Sequence, residues 1–360
     1  MTERLLRGWG VDQVVHRVAD GLGRVGHEVD VVCLRADRSY GDSAYRVRLL
    51  EVPYQPVDTL EERVFERSGL IRQRRYDVFV ACMYPFFSVA RRLGIPYVYY
   101  EHGVVNPVGL DAQTVRLLDR IRREGQEHQA GARRVAVVSR FLMSEQVNPS
   151  KHRDTDVVYN GADSFGPAPA EPAVRALRER LGLADAEVVG YFGRIERATY
   201  KGVDELVEMV GELRRRRPRA MLMMTGYSDD NARAHFAAVP WVRVQSHVPG
   251  DEMALHFSAA DVAVSASRWE GFNLPLAEAQ LYARPVVAYD LAAHPEVVAP
   301  SGVLAKDRAA FVDAMDMLLG TDRAERRRRG DEARRFVEER FTWKRTVESL
   351  AACLHAAVAV

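Results

Sequence analysis

Short apolar runs alternate with helically periodic segments along nearly the whole chain, and that alternation leaves few folds open to it. Val11, Val14, Val15, Val18, Ala19 and Leu22 recur at helical spacing until Gly26 stops the pattern. Apolar runs at 29–34, 77–82, 96–100, 135–138 and 156–159 follow as candidate strands, most of them separated by helical stretches. Strands that are apolar throughout, rather than at every second residue, are buried on both faces, as in a parallel sheet flanked by helices. The stretch GADSFGPAPAEP, 161–172, breaks both periodicities. A second series then begins, with strands expected at 187–192, 220–225, 242–245, 261–265 and 285–289 and helices near 203–216, 274–282 and 308–319. The expectation is an α/β protein of two Rossmann-like, doubly wound domains, 1–162 and 163–340, followed by a helical tail at 341–360. A ligand would then sit in the cleft at the carboxyl ends of the strands.

With 360 residues, 47% of them hydrophobic and 28% charged, the chain has material for two such cores and is not a disordered one. Its 51 basic and 50 acidic residues leave a formal charge of +1, so no whole-chain field favours nucleic acid. Cys33, Cys82 and Cys353 lie far apart without metal-ligand spacing, which argues against a disulfide scaffold or a zinc site. No apolar run approaches the roughly 18 residues of a spanning helix. Glu3, Arg4, Arg7 and Asp12 stand where a signal peptide would be apolar, so a cytoplasmic chain is expected. One element is missing from the pattern. Residues 1–7 are too short and too charged for the strand that should precede the first helix, so that strand is expected to be truncated or the start to have been assigned late.

Several segments carry chemistry. Gly21-Leu22-Gly23-Arg24-Val25-Gly26 fits the dinucleotide pattern G-x-G-x-x-G, but its glycines end a helix and lead into a strand, the reverse of what that site requires. Trp269 to Ala279 is more informative. Pro275 suits a first helical turn, so Gly271, Phe272, Asn273 and Leu274 form a loop and helix N-terminus able to attract a diphosphate. Glu270 precedes that turn and Glu278 lies inside the helix, and both can accept hydrogen bonds from sugar hydroxyls. The plainer alternative makes Glu278 a first-turn dipole partner and Glu270 a solvated loop residue. Gly193-Arg194 and Lys201-Gly202 put two cations after one strand, where they could offset charge on a departing diphosphate, although a solvated loop is again the alternative. His102, after the strand ending in Tyr99-Tyr100, could bind substrate or serve only as a packing residue. Gly8-Trp9-Gly10 allows close backbone approach to a ligand or is simply a tight turn. The region Arg116 to Arg134 sets Leu117, Leu118 and Ile121 among six arginines, a pattern suited to weak peripheral contact with an anionic membrane or to an exposed helix.

Taken together, these segments resemble glycosyltransferase family 4, retaining enzymes of the GT-B fold, over nearly the whole chain. Glu270 to Glu278 resembles the family's E-x7-E element. Around it stand Ala259-Ala260-Asp261-Val262, Arg284-Pro285-Val286-Val287-Ala288 and His294-Pro295-Glu296-Val297. Tyr159-Asn160-Gly161-Ala162-Asp163 resembles the family's inter-domain element, and Phe341-Thr342-Trp343 the start of a terminal helix that packs back toward the first domain. The resemblance implies an N-terminal acceptor-side domain and a C-terminal domain binding the nucleotide sugar. Arg194 and Lys201 would hold the donor diphosphate, with Gly10 and Gly193 beside the donor. Glu278 would hold the ribose, Glu270 the transferred sugar with the backbone of Gly271, Phe272, Asn273 and Leu274, and His102 the same sugar. No metal and no cofactor are implied, and the route is front-face substitution with retained configuration. Asn273 stands where glycine is commoner, and seven positions from Arg194 to Lys201 make the intervening loop longer than usual.

The expected activity is transfer of a sugar from a UDP- or GDP-type donor to an acceptor hydroxyl in cell-envelope glycan, glycolipid or natural-product synthesis. An inactive nucleotide-binding scaffold, or a phosphorylase or epimerase on the same fold, are the other readings.

Overall fold

The computed structural model describes residues 1–2, 4–6, 10–37, 42–50, 52, 57–72, 74–104, 112–147 and 154–359. Gly8 and Trp9, and most of the loop 103–111, lie outside the described residues. The chain divides between Asn160 and Gly161: the described residues up to Asn160, together with those from Trp343 onward, form one compact unit, and Gly161–Thr342 forms the other.

In the first unit the elements run β1 (Arg4–Leu5), α1 (Gly10–Arg24), β2 (Asp30–Cys33), β3 (Arg35–Ala36), β4 (Arg46–Leu49), α2 (Val57–Arg67), α3 (Gly69–Arg72), β5 (Phe79–Ala81), α4 (Phe86–Leu93), β6 (Tyr97–Glu101), α5 (Ala112–Gly131), β7 (Arg134–Val137), α6 (Arg140–Gln146) and β8 (Thr155–Val157). All the pairings, β1–β3, β2–β4 and the series β5-β6-β7-β8, are parallel. The N-terminal segment does more than its length suggests. Thr2 N–H donates to Val32 O at 3.1 Å, Cys82 N–H donates to Met1 O at 3.0 Å, and Asp37 N–H donates to Leu5 O at 2.9 Å. The first strand is therefore present as two residues of β1. Through these bonds Met1 and Thr2 are tied to β2 and to the end of β5, and Met1, Thr2 and Leu5 are buried despite the charges around them.

In the second unit follow α7 (Glu171–Arg180), β9 (Glu187–Phe192), α8 (Val203–Leu213), β10 (Ala220–Gly226), α9 (Asp230–Ala237), β11 (Val242–Ser246), α10 (Met253–Ala259), β12 (Val262–Ser265), α11 (Leu274–Leu281), β13 (Val286–Tyr289), α12 (His294–Val297), β14 (Val303–Ala305), α13 (Arg308–Gly320) and α14 (Arg323–Arg340). Its sheet is all parallel, in the order β11-β10-β9-β12-β13-β14. The order reverses between β9 and β12, and in an open α/β sheet the crevice at such a switch point is where ligands bind. Alternation along β9 feeds two cores. Val189 and Tyr191 pack with Leu206, Met209 and Phe311 on one face, and Val188 and Phe192 with Phe257 and Leu276 on the other. Burial on both faces is why these strands read as unbroken apolar runs.

The last helix, α15 (Trp343–Val358), rejoins the first unit. It accounts for the first glycine of the false dinucleotide pattern: a Cβ at Gly21 would overlap the Val347 side chain on α15, whereas one at Gly23 would overlap the carbonyl of Ala44, so the first glycine admits a side chain and the second a stretch of backbone. Among the described residues no helix is long and apolar enough to cross a membrane.

Candidate functional site

The residues expected to meet a donor gather, within the second unit, at the carboxyl ends of β9 and β12. Gly193 takes φ +143°, a conformation open to glycine, and its N–H donates to Thr225 O at 3.0 Å. Arg194 then turns its guanidinium to the Tyr200 hydroxyl at 3.0 Å and to Glu196 at 3.0 Å. Burial alone would lower the guanidinium's pKa, but Tyr200 and Glu196 outweigh that and raise it, so Arg194 is a firm cation.

Lys201 reaches Glu270 across the switch point, with Nζ donating to Oε1 at 2.7 Å. Both side chains are mostly shielded, at 17% and 12% exposure. Burial opposes the ammonium, yet Glu270 wins and holds the Lys201 pKa above its ordinary value. A shielded ion pair of this kind adds little net stability, because desolvating two charges offsets their attraction. Its placement beside a crevice is thus better explained by chemistry than by folding. The long loop is fastened rather than loose: Arg268 N–H donates to Tyr200 O at 2.7 Å, and Ala198 N–H to Asp204 Oδ2 at 2.7 Å. Gly202, at φ +64°, passes so close that a Cβ would strike the Ala266 carbonyl. These contacts set Lys201 at the mouth of α8.

On the β12 side, Pro275 occupies the first turn of α11 and Asn273 is the N-cap residue, at φ 76° and ψ 65°. Its amide does not cap the helix. Nδ2 donates to Ser265 Oγ at 2.9 Å and lies 3.0 Å from His294 Nε2. Phe272, Asn273 and Leu274 are buried, and with no side chain capping it the start of α11 presents the positive end of the helix dipole. Glu278 is 4% exposed and sits beyond the first turn, which removes its reading as a first-turn dipole partner. Glu270, paired with Lys201, is likewise not a solvated loop residue.

Two expected residues belong to the first unit. Gly10 opens α1. His102 follows β6, its ring 4.3 Å from that of Tyr100, and neither ring nitrogen has a hydrogen-bond partner among the described residues. Burial lowers its pKa to about 3, so the imidazole is neutral. Glu101 shapes the turn beneath it by accepting from Gly103 N–H at 2.7 Å and from the Tyr99 hydroxyl at 3.1 Å. Reasoning from sequence passed over Glu196, Tyr200 and Ser265, and noted His294 only as part of a motif. The length of the loop was the sole available sign of the first two. Among the described residues, no cluster of His, Cys, Asp and Glu could hold a metal ion.

The family model described as "Glycosyltransferase Family 4" matches residues 9–164, and that described as "Glycosyl transferases group 1" matches residues 186–321. The chain is 32% identical over 232 residues to an MMP alpha-(1->4)-mannosyltransferase of Mycolicibacterium hassiacum, covering 62% of this chain and 53% of that protein. It spans between 33% and 56% of the length of three of the curated relatives it matches. Among solved structures, a sucrose-phosphate synthase from Thermosynechococcus elongatus superposes with a TM-score of 0.80 at 20% identity, covering 99% of this chain and 96% of that one. Anabaena Alr3699/HepE in complex with UDP and glucose gives 0.76 at 17% identity, covering 99% and 100%. With the structural likeness giving the GT-B fold and the two models together spanning most of the sequence, the chain belongs to glycosyltransferase family 4.

Proposed function

We propose that this chain transfers a sugar from a nucleoside diphosphate sugar to an acceptor hydroxyl with retained configuration and without a metal. The observation that carries the reading is the Lys201–Glu270 pair at 2.7 Å, set with Arg194 beside the uncapped start of α11. Two cations and a helix N-terminus suit a diphosphate, and a shielded carboxylate next to them suits the hydroxyls of the sugar it carries. In the reaction the bond from the anomeric carbon to the phosphate oxygen breaks while the acceptor oxygen bonds to the same face. The acceptor proton passes to the departing phosphate oxygen. Arg194 and Lys201 offset the charge that grows on the leaving group, a contribution made mainly in the transition state. Glu278 is assigned to the ribose, and Gly10, Gly193, Gly271 and the 272–274 backbone to the donor. His102 is assigned to the transferred sugar; as a neutral imidazole it can exchange hydrogen bonds with a hydroxyl.

HepE, a neighbour in fold, is described with UDP and glucose, and the hassiacum relative is a mannosyltransferase. UDP- and GDP-hexoses are therefore the first donors to try, with a glycan, glycolipid or small-molecule acceptor. The place of action is proposed to be the cytoplasm, with weak membrane contact through 116–134. There Arg116 and Arg123 are exposed, but Arg122 pairs with Asp119 and Arg120 with Glu124, so that contact is weak at most. A panel of UDP-, GDP- and dTDP-sugars with product analysis tests the activity. Turnover in the parent should fall at least a hundredfold in Lys201→Ala and Glu270→Ala, and parental rates in both would overturn the site. Nucleotide binding without transfer would favour a scaffold, and consumption of free phosphate a phosphorylase.

A further inference from the structure

Asn273 is a non-glycine residue held at φ 76°, in the left-handed region that a side chain disfavours. Asparagine tolerates that region better than most, but something must still hold it there. Two buried partners do so. Ser265 ends β12, and its Oγ is 2.9 Å from Asn273 Nδ2; His294 opens α12, and its Nε2 is 3.0 Å from the same nitrogen. The direction of the second bond follows from a third. His294 Nδ1 lies 2.9 Å from Tyr289 O, and a carbonyl can only accept, so Nδ1 carries the proton and Nε2 accepts from the Asn273 amide. Both amide hydrogens are then used. His294 is fully buried, and that burial holds its pKa below the ordinary value, which keeps Nε2 available as an acceptor. The same segment is fastened to the other side of the loop, where Ala293 N–H donates to Glu270 O at 3.4 Å.

From this geometry we infer that His294, with Ser265, is a positioning residue. It locks Asn273 in the left-handed conformation and thereby aims the start of α11, and the Glu270 backbone, at the diphosphate sugar. The inference rests on the donor reading above and names residues that reading leaves without a role. Glycine at 273 would reach φ 76° unaided, so dependence on His294 should exist only while 273 is asparagine.

That conditional dependence supplies the test, a double-mutant cycle read by calorimetric binding of UDP, GDP and ADP to the purified chain. His294→Phe keeps the ring but removes both hydrogen bonds. It should weaken the tightest of the three ligands about tenfold in the parent and less than threefold in an Asn273→Gly background. Asn273→Ala should lose more affinity than Asn273→Gly, and His294→Gln, which can return an acceptor near Nε2, should recover most of what His294→Phe loses. A merely structural role for His294 would give equal losses in both backgrounds and overturn the inference while leaving the donor reading intact. Equal affinities for parent and His294→Gln but also for His294→Phe would overturn it as well. If the parent binds none of the three nucleotides, the donor reading falls and this inference with it.

Discussion

Glu196 stands 3.0 Å from Arg194, so a diphosphate that takes Arg194 competes with a carboxylate already there. Both side chains are about one-third exposed, and ion pairs of that exposure are worth at most about 1 kcal/mol. Glu196→Gln is therefore expected to tighten nucleoside diphosphate binding by about fivefold at low salt, and the gain should shrink as ionic strength rises. Calorimetric titration at two salt concentrations checks both parts, and weaker binding would mean that Glu196 instead aims the guanidinium. Arg194, Lys201, Glu270 and Glu278 can be named as candidates from the sequence because short motifs mark them. Glu196 and Tyr200 were not, since their effect on Arg194 depends on how the loop between Arg194 and Lys201 folds back, and spacing alone does not give that.

At the scale of elements, Gly202 joins the cationic loop to α8. Its φ of +64° and the nearby Ala266 carbonyl leave no room for a methyl group on either count. Gly202→Ala should cost about 1–3 kcal/mol of stability and move Lys201 off Glu270. The measurement is thermal unfolding together with nucleotide affinity, with at least a tenfold loss of affinity expected. Strands β9 to β13 and helices α8, α11 and α13 lie within a few residues of their expected ranges, because each owes its signal to local periodicity and turn residues. The first strand β1 has only two residues, yet Met1, Thr2 and Leu5 are buried despite the charge along 1–7, because they bond to residues in or just after β2, β5 and β3, which come later in the chain.

The molecule as a whole carries histidines that folding keeps neutral. Burial brings His102 to about 3 and His256 to about 4, both below the 6.5 of an unfolded chain. Between pH 6.5 and about 4 the unfolded state binds protons that the folded state refuses. Stability must therefore fall as pH drops through that window, by about 1.4 kcal/mol per pH unit for each histidine. Chemical denaturation from pH 7.5 to 4.5 should show this slope, and His256→Gln should flatten it; a slope unchanged in that variant would mean His256 is protonated when folded. Period, turn chemistry and motif spacing are properties of neighbouring residues, so the α/β class, the break near Gly161 and the charged candidates for the site can be read from the sequence. Which of them meet depends on how distant parts of the chain pack. Lys201 joins Glu270 across 69 positions, Asn273 joins His294 across 21, and Gly21 admits Val347 from the far end of the chain. Such pairings are fixed by the strand order of a closed-packed sheet and by the helices covering it, and no local pattern encodes that order.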